Sequence, residues 1–206
     1  MTEDPTAWFE RLYSAAASGE AVVPWDRGGP HPLLADWVER RAPDGRGRRA
    51  LVVGAGLGAD AELVAGLGFQ TVAFDVSSTA LRMASERFPD SRVEYIVANL
   101  LEPPRHWSRA FDLVVESITV QSLPRTARAT AIAAVGDFVA AGGMLLVIAR
   151  ALGEDEDPVA GPPWPLTRAD VEAFAAGGLE PQRIDAIPVP DEPGAHRWRA
   201  EFTRPA

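Results

Sequence analysis

Residues 51–65 impose the strongest constraint on the fold of this chain. An apolar run over 51–53 is followed by three glycines at alternate positions, Gly54, Gly56 and Gly58, and then by a helix-forming stretch. This order predicts a buried strand, a tight turn and the first turn of a helix. Glycine permits the turn and lets a ligand lie against the backbone, while the helix start offers N–H groups to polar ligand atoms. A nucleotide-type cofactor is therefore the first hypothesis, although the same glycines also fit the dinucleotide pattern G-x-G-x-x-G/A.

An acid ends the second predicted strand, which covers residues 69–75. Asp75 follows the last glycine at roughly the twenty-residue spacing expected across one β-α-β unit. A carboxylate at this place can accept hydrogen bonds from both hydroxyls of a ribose. The alternatives are an ordinary turn residue at the strand end, or the N-cap of the helix that follows. The strand, turn and helix before Asp75 favour the ribose role.

Strand and helix patterns alternate along the chain. The predicted strands are 51–53, 69–75, 93–98, 111–116, 142–149, 179–189 and 196–203. The predicted helices are 5–18, 33–41, 79–88, 125–140 and one capped by Thr167 that ends near Gly177, besides the helix after the glycines. Such alternation predicts an α/β fold: a Rossmann-like doubly wound sheet of seven mostly parallel strands, with helices on both faces. The last two strands are predicted to form an antiparallel hairpin.

The first 45 residues are predicted to form a helical cap or lid on a single domain that spans 1–206. Trp8, Phe9 and Tyr13 lie on one face of the first predicted helix, with Pro5 in its first turn. The stretch 23–32 combines prolines, glycines and Trp25 and is interpreted as a rigid lid. Trp25 either stacks on a base or sulfonium, or fills space under the loop as a hydrophobic plug.

Composition excludes several classes of function. The formal net charge is −9 and no long basic run occurs, which disfavours nucleic-acid binding. The chain has no cysteine, which excludes disulfides, thiolate nucleophiles and cysteine-bound metals, and its three histidines lack ligand spacing, so no metal is expected. No apolar run of about 18 residues occurs, and the N-terminus lacks a signal-peptide core. We predict a soluble, cytoplasmic monomer or homodimer without a membrane partner.

Taken in order, these residues resemble the class I S-adenosylmethionine-dependent methyltransferases. Residues 53–58 are similar to the glycine motif of that family, Asp75 to its ribose acid, and 98–100 to its adenine-contacting turn. Residues 111–116 and 141–146 are similar to its fourth strand and to the entry of its fifth. Asn99 departs from the pattern, because an acid is commonest there, and Ala141 replaces a proline. The short helical N-terminus and residues 24–28 resemble the small-molecule branch of thiopurine- and tellurite-resistance enzymes.

The resemblance implies S-adenosylmethionine as the cofactor and suggests where each part of it lies. The glycine turn would approach the methionine part, Asp75 would hold the ribose, and the turn after the third strand would frame the adenine. Glu116, at the end of the fourth strand, would face the methionine end or the methyl acceptor. The predicted cofactor-binding residues are Gly54, Ala55, Gly56, Asp75, Val76, Asn99, Leu100, Glu116 and Trp25.

Methyl transfer needs little side-chain chemistry. An in-line displacement from a sulfonium requires aligned reactants and the exclusion of water, so no catalytic residue is assigned. His31 is the candidate general base for an acceptor that must lose a proton, with a structural role in the loop as the alternative. The candidate acceptor-site residues are His31 and Ser117 and, on position alone, Gln121, Trp164 and Arg150. His106 and Trp107 either flank the adenine or cover the sheet edge.

The acidic chain, without basic patches, favours a small-molecule acceptor that is methylated on sulfur, oxygen or nitrogen. One alternative is an NAD(P)-linked oxidoreductase, which would need a catalytic Tyr/Lys pair. The chain contains no lysine, and its tyrosines are Tyr13 and Tyr95. The other alternative is a non-catalytic cofactor-binding module, which predicts a cofactor site with no pocket beside it.

Overall fold

The computed structural model describes residues 6–153, 156–157, 161–190 and 192–206. The helices are α1 (Ala7–Ala17), α2 (Pro32–Arg41), α3 (Ala59–Gly66), α4 (Ser78–Arg87), α5 (Arg125–Asp137) and α6 (Arg168–Glu172). The strands are β1 (Arg49–Val53), β2 (Gln70–Asp75), β3 (Glu94–Val97), β4 (Phe111–Ser117), β5 (Val139–Arg150), β6 (Glu180–Pro188) and β7 (His196–Thr203). The chain forms two compact units, Met1–Glu102 and Pro103–Ala206. None of the helices in the described ranges has the length and apolar character that a membrane span requires.

The seven strands form one mixed sheet in the order β3-β2-β1-β4-β5-β7-β6. In the first unit β2 pairs in parallel with both β1 and β3. In the second unit β5 pairs in parallel with β4 and antiparallel with β7, and β6 is antiparallel to β7. This confirms the predicted α/β class, with a mostly parallel sheet that ends in an antiparallel C-terminal hairpin.

The carboxyl ends of β1, β2 and β3 bring the predicted cofactor residues of the first unit to one edge. Val53 is in register with Phe74, and Asp75 is in register with Val97. The ladder extends one residue past each strand, because the Ala55 N–H donates to the Phe74 carbonyl at 2.8 Å and the Ala98 N–H to the Asp75 carbonyl at 3.0 Å. The glycine turn, Asp75 and the turn after β3 therefore lie side by side, where ligands bind in sheets of this kind.

The predicted helix over 125–140 is too long. α5 ends at Asp137, and β5 begins at Val139 instead of at the predicted Gly142. The carbonyl of Phe138 accepts the N–H groups of Ala110 and Phe111, both at 3.1 Å, and Val139 is in register with Phe111 of β4. Strand pairing thus prevails over the helical preference of the alanines, as tertiary context commonly does.

The predicted helix that begins at Thr167 is also shorter than expected. Thr167 and Asp170 form the predicted capping box, but α6 ends at Glu172 and a 3-10 turn occupies 173–175. Gly177 and Gly178 follow with φ of 77° and 90°, so the backbone turns away. Two further 3-10 turns, at 105–107 and 120–122, were not predicted.

Some sequence predictions fall on residues outside the described ranges. α1 lies within the predicted helix over 5–18, but Pro5, expected in its first turn, is not among the described residues. The acidic, proline-rich loop expected over 153–165 includes 154–155 and 158–160, which also lie outside them.

Candidate active site

The glycine turn after β1 has a backbone that other residues would strain. Gly54, Gly56 and Gly58 have φ of 65°, 51° and 87°, all in the left-handed region. A Cβ on Gly56 would lie 2.9 Å from the Tyr13 hydroxyl oxygen, and one on Gly58 would lie 2.4 Å from that of Tyr95. These glycines keep the backbone bare, as the close approach of a cofactor to the turn requires.

Asp75 is tied to the glycine turn through its carboxylate. One carboxylate oxygen accepts the Gly56 N–H and the other accepts the Ser77 N–H, both at 2.9 Å. The alternative that Asp75 caps α4 is wrong, because Ser77 is the N-cap and accepts from the Ala80 N–H. The side chain is only 7% exposed. Burial raises the pKa of Asp75 above its usual value, although its backbone donors oppose that rise.

The remaining lone pairs of Asp75 make the ribose role chemically feasible. A carboxylate offers about four lone-pair directions, and Asp75 accepts backbone N–H groups from Gly56, Val76 and Ser77. The carboxylate therefore aligns the glycine turn with the end of β2 and retains acceptor capacity for a hydroxyl.

The start of α3 separates the two cofactor classes that the glycines allow. α3 begins at Ala59 without a side-chain cap, and its first turn carries the carboxylates of Asp60 and Glu62. A pyrophosphate bound at this helix start would be repelled by both acids. S-adenosylmethionine has no pyrophosphate and so brings no such doubly charged group to the helix start. The residues at the glycine turn therefore fit S-adenosylmethionine better than a dinucleotide.

The turn after β3 contains the residues expected at the adenine. Leu100 is buried, and Val76 at the end of β2 is half-buried. The Asn99 side-chain oxygen accepts the Leu101 N–H at 2.9 Å and so fixes the turn. The oxygen expected to meet the adenine amino group thus already has one backbone donor and retains a second lone pair.

Trp25 belongs to an aromatic cluster beside the glycine turn, formed with Trp8, Phe9 and Tyr13. Its ring packs edge-on against the other three, with centroid distances of 5.9, 6.3 and 5.9 Å in that order. Its indole N–H donates to the Tyr13 hydroxyl oxygen at 2.8 Å. The indole nitrogen is 3.7 Å from the position of a Cβ on Gly56. Trp25 therefore packs as a half-buried plug, and its stacking on a cofactor stays a prediction.

The predicted lid over 23–32 is fastened within the first unit. Asp26 pairs with Arg87 of α4 at 3.1 Å, and the His31 N–H donates to the Asp60 carboxylate at 2.6 Å. The His31 ring caps α2, because its Nδ1 accepts the Leu33 N–H at 3.2 Å. These bonds give His31 the structural role that the sequence left open. Its action as a general base stays a prediction.

In the second unit, the end of β4 holds a buried carboxyl group. Glu116 has no exposed surface, and its Oε1 accepts the N–H groups of Thr119 and Val120 at 2.8 and 2.9 Å. Within the described part of the chain, its Oε2 has no hydrogen-bond partner. Burial raises the pKa of Glu116 to about 7. The next residues are Ser117, which is buried, and Ile118, whose φ of 56° is strained for a β-branched residue.

Three candidate acceptor-site residues of the second unit are linked to one another. The Gln121 side-chain oxygen accepts the Arg150 N–H at 2.6 Å, and the Gln121 carbonyl accepts the Trp164 N–H at 2.7 Å. Arg128 donates to the Trp164 carbonyl at 2.8 Å, and the Arg150 guanidinium pairs with Glu156. This network fixes the segment around Trp164 against β5 and α5. The predicted role of these residues at the acceptor stays a prediction.

Trp107 packs in the core of the second unit. Its ring is 1% exposed and packs edge-on against Phe111 and Phe138. The two alternatives for His106 and Trp107, flanking the adenine or covering the sheet edge, stay predictions.

Sequence reasoning missed two residues of α1 that reach the candidate site. The Tyr13 hydroxyl lies over the glycine turn, and the Glu10 carboxylate accepts hydrogen bonds from the hydroxyls of Ser77 and Thr79 at 2.6 and 2.5 Å. Glu10 and Tyr13 are three positions apart, so they lie on one side of the helix. That spacing of two polar groups within an aromatic face was the available signal.

Comparison with known proteins gives a matching domain model for part of the chain and a shared fold. Residues 50–143 match the family model of a methyltransferase domain. No curated protein matches the chain. The matched range contains the glycine turn, Asp75 and Glu116, so the family match covers most of the predicted cofactor site.

Solved structures share the fold at low sequence identity. The 1,6-didemethyltoxoflavin-N1-methyltransferase of Burkholderia thailandensis, with bound 1,6-didemethyltoxoflavin and S-adenosylhomocysteine, has a TM-score of 0.72 and 18% identity, covering 100% of this chain and 92% of that one. A TehB-like methyltransferase from Corynebacterium glutamicum has a TM-score of 0.63 and 20% identity, covering 96% of each chain. The [4+2]-cyclase SpnF has a TM-score of 0.75 and 15% identity, covering 98% of this chain and 95% of that one.

The fold, the matched domain and the chemistry of the glycine turn agree with one another and with the resemblance of the sequence. Residues 50–143 of the chain match a methyltransferase domain, and the chain shares the fold of solved S-adenosylmethionine-dependent methyltransferases.

Proposed function

We propose that the enzyme transfers a methyl group to a small-molecule acceptor, on sulfur, oxygen or nitrogen, by in-line displacement. The observation that carries the proposal is the half-buried aromatic cluster of Trp8, Phe9 and Trp25 beside the glycine turn. Aromatic faces next to a methyl-donor site supply an apolar wall that fits a small ring or hydrocarbon. The net charge of −9 disfavours a nucleic-acid acceptor.

The residues of the chain serve this reaction by binding and orienting. When bound, S-adenosylmethionine supplies an electrophilic methyl group on a sulfonium. Gly54, Ala55 and Gly56 would lie against its methionine part, and Asp75 would orient the ribose. Val76, Asn99 and Leu100 would frame the adenine. Correct alignment and exclusion of water account for most of the expected rate enhancement.

The names of similar structures support a small-molecule acceptor. One neighbour is named for N1-methylation of 1,6-didemethyltoxoflavin, and another is called TehB-like. The second agrees with the resemblance of the N-terminus to the thiopurine- and tellurite-resistance branch, which we propose as the place of this enzyme within the family. Glu116 facing the methionine end or acceptor, and Ser117, Gln121 and Trp164 at the acceptor, belong to the same proposal.

A non-catalytic cofactor-binding module is the second candidate. A fold alone does not establish an activity, and a protein with a similar fold is named for a different reaction, a [4+2] cyclisation. The NAD(P)-linked alternative is weaker, since Asp60 and Glu62 stand where a pyrophosphate would bind. A single domain over 1–206, a cytoplasmic location and a monomeric or homodimeric state stay predictions.

Methyl transfer to defined acceptors tests the proposal. Purified enzyme is incubated with S-adenosylmethionine labelled in its methyl group and with panels of thiols, phenols, amines and, separately, RNA. Label transferred to one small-molecule class, with none on RNA, is the expected result. Transfer to RNA would contradict the proposal, and tight cofactor binding without transfer to any panel would favour the non-catalytic module.

A further inference from the structure

The hydroxyl of Tyr13 lies directly over the glycine turn. The residue is 1% exposed, and its oxygen is 2.9 Å from the position that a Cβ on Gly56 would take. Gly56 is the last of the three residues expected along the methionine part of the cofactor. The Tyr13 oxygen therefore faces the part of the site where that methionine would lie.

The hydrogen bonding of Tyr13 leaves its own proton for an acceptor. Its oxygen accepts the Trp25 indole N–H at 2.8 Å, which uses one lone pair and directs the O–H away from the indole. Among the described residues, no acceptor of the Tyr13 proton is found. Burial and the charge of Asp75 raise the pKa of Tyr13, so the hydroxyl stays protonated at neutral pH. A buried donor of this kind is costly unless a ligand supplies the acceptor.

α1 is fixed so that Tyr13 stays in this position. The Glu10 carboxylate accepts the hydroxyls of Ser77 and Thr79 and the Thr79 N–H at the start of α4. A carboxylate at a helix N-terminus is favoured by the helix dipole. One turn later on α1, Tyr13 packs in a cluster with Val23. The helix is thus held at two points.

We propose that Tyr13 is a cofactor-binding residue whose hydroxyl donates a hydrogen bond to the methionine carboxylate of bound S-adenosylmethionine. The proposal rests on the cofactor assignment and not on the identity of the acceptor. The carboxylate is chosen because it is the anionic oxygen acceptor of this cofactor, and charge-assisted hydrogen bonds are the stronger ones. Trp25 acts as a positioning residue, since its N–H orients the hydroxyl.

Two ligands that differ in the methionine part test the proposal. S-adenosylhomocysteine carries the amino-acid part, whereas 5′-methylthioadenosine keeps the adenine and ribose but lacks the carboxylate. Calorimetric titration of wild type and Tyr13→Phe with each ligand is expected to show at least a roughly tenfold weaker Kd for S-adenosylhomocysteine in the variant. The Kd for 5′-methylthioadenosine should stay unchanged. A merely structural role of the hydroxyl would weaken both ligands alike.

Tyr95→Phe is the matched control. It removes the other tyrosine hydroxyl near the glycine turn, which donates to Glu62 at 2.7 Å. This variant should bind both ligands as wild type does. Equal affinity of wild type and Tyr13→Phe for S-adenosylhomocysteine, or equal losses for both ligands, overturns the role of Tyr13. If wild type binds neither ligand, the cofactor assignment itself fails, whatever the acceptor screen shows.

Discussion

Replacing Glu116 by glutamine should remove a pH dependence of stability that burial creates. The carboxyl group has no exposed surface, and burial raises its pKa from 4.5 to about 7. Glutamine has nearly the same shape, and its side-chain oxygen can still accept the N–H groups of Thr119 and Val120. The variant therefore resembles the protonated acid and cannot ionise.

The sign and size of the effect follow from proton linkage. Between pH 4.5 and about 7 the folded chain keeps a proton on Glu116 that the unfolded chain has lost. The free energy of unfolding therefore falls as pH rises through this window and levels off above it. At 1.36 kcal/mol for each pKa unit, the contribution of this group is about 3 kcal/mol. Relative to wild type, Glu116→Gln should gain up to that amount between pH 5 and pH 8.

Urea unfolding followed by tryptophan fluorescence at pH 5, 6, 7 and 8 measures this difference. Other groups titrate in both proteins, so the difference between the two curves isolates Glu116. Exposed Glu94→Gln serves as the control and should run parallel to wild type. Parallel curves for Glu116→Gln and wild type would refute the reasoning that a buried, largely protonated carboxyl lies at the end of β4.

Three other changes test contacts inside each unit. Gly58→Ala should lower the free energy of unfolding by more than Gly47→Ala, as measured by chemical denaturation. Both sites have positive φ, but only a Cβ at Gly58 would lie 2.4 Å from a tyrosine hydroxyl. Arg204→Met removes three guanidinium bonds to backbone carbonyls and should cost about 3 kcal/mol or more in the same assay, whereas half-exposed Arg109→Met should cost little. Burial alone would raise the pKa of Glu10, but its hydroxyl and N–H donors outweigh this and lower it. The docking of α1 should therefore weaken as pH falls below about 4.5, seen as faster cleavage within α1 by a protease active in acid. At pH 7, a protease active at neutral pH should cleave Glu10→Gln within α1 faster than wild type, and a resistant variant would contradict the role of Glu10.

The glycine turn and the strand alternation made the fold predictable. Three alternate glycines after an apolar strand permit few backbone paths, so β1, the turn and α3 followed from sequence. The boundary between α5 and β5 did not follow from the sequence. Ala140 and Ala141 favour a helix by themselves, and the hydrogen bonds that decide the boundary come from Ala110 and Phe111, about 30 residues away in sequence.

The candidate site was predictable where it lies on the strand ends and was missed where it comes from α1. Asp75 was expected at the ribose, and the structure places it against the glycine turn. Tyr13 reaches the same turn through the docking of a helix more than 40 residues earlier in sequence. The spacing of Glu10 and Tyr13 places both polar groups on one side of that helix but does not say where the helix docks. The raised pKa of Glu116 likewise depends on complete burial, a property of the folded chain.

Calorimetric titration with S-adenosylmethionine and with NADH tests the central claim most directly. Wild type should bind S-adenosylmethionine and not NADH. Asp75→Ala should weaken that binding by about a hundredfold, because the ribose loses a charge-assisted hydrogen bond and the glycine turn loses the carboxylate that holds it. The affinity of Asp75→Asn, which retains one acceptor oxygen, should lie between those of wild type and Asp75→Ala. Exposed Asp90→Ala should bind S-adenosylmethionine as wild type does. Binding of NADH without S-adenosylmethionine, or undiminished affinity in both Asp75 variants, would contradict the account.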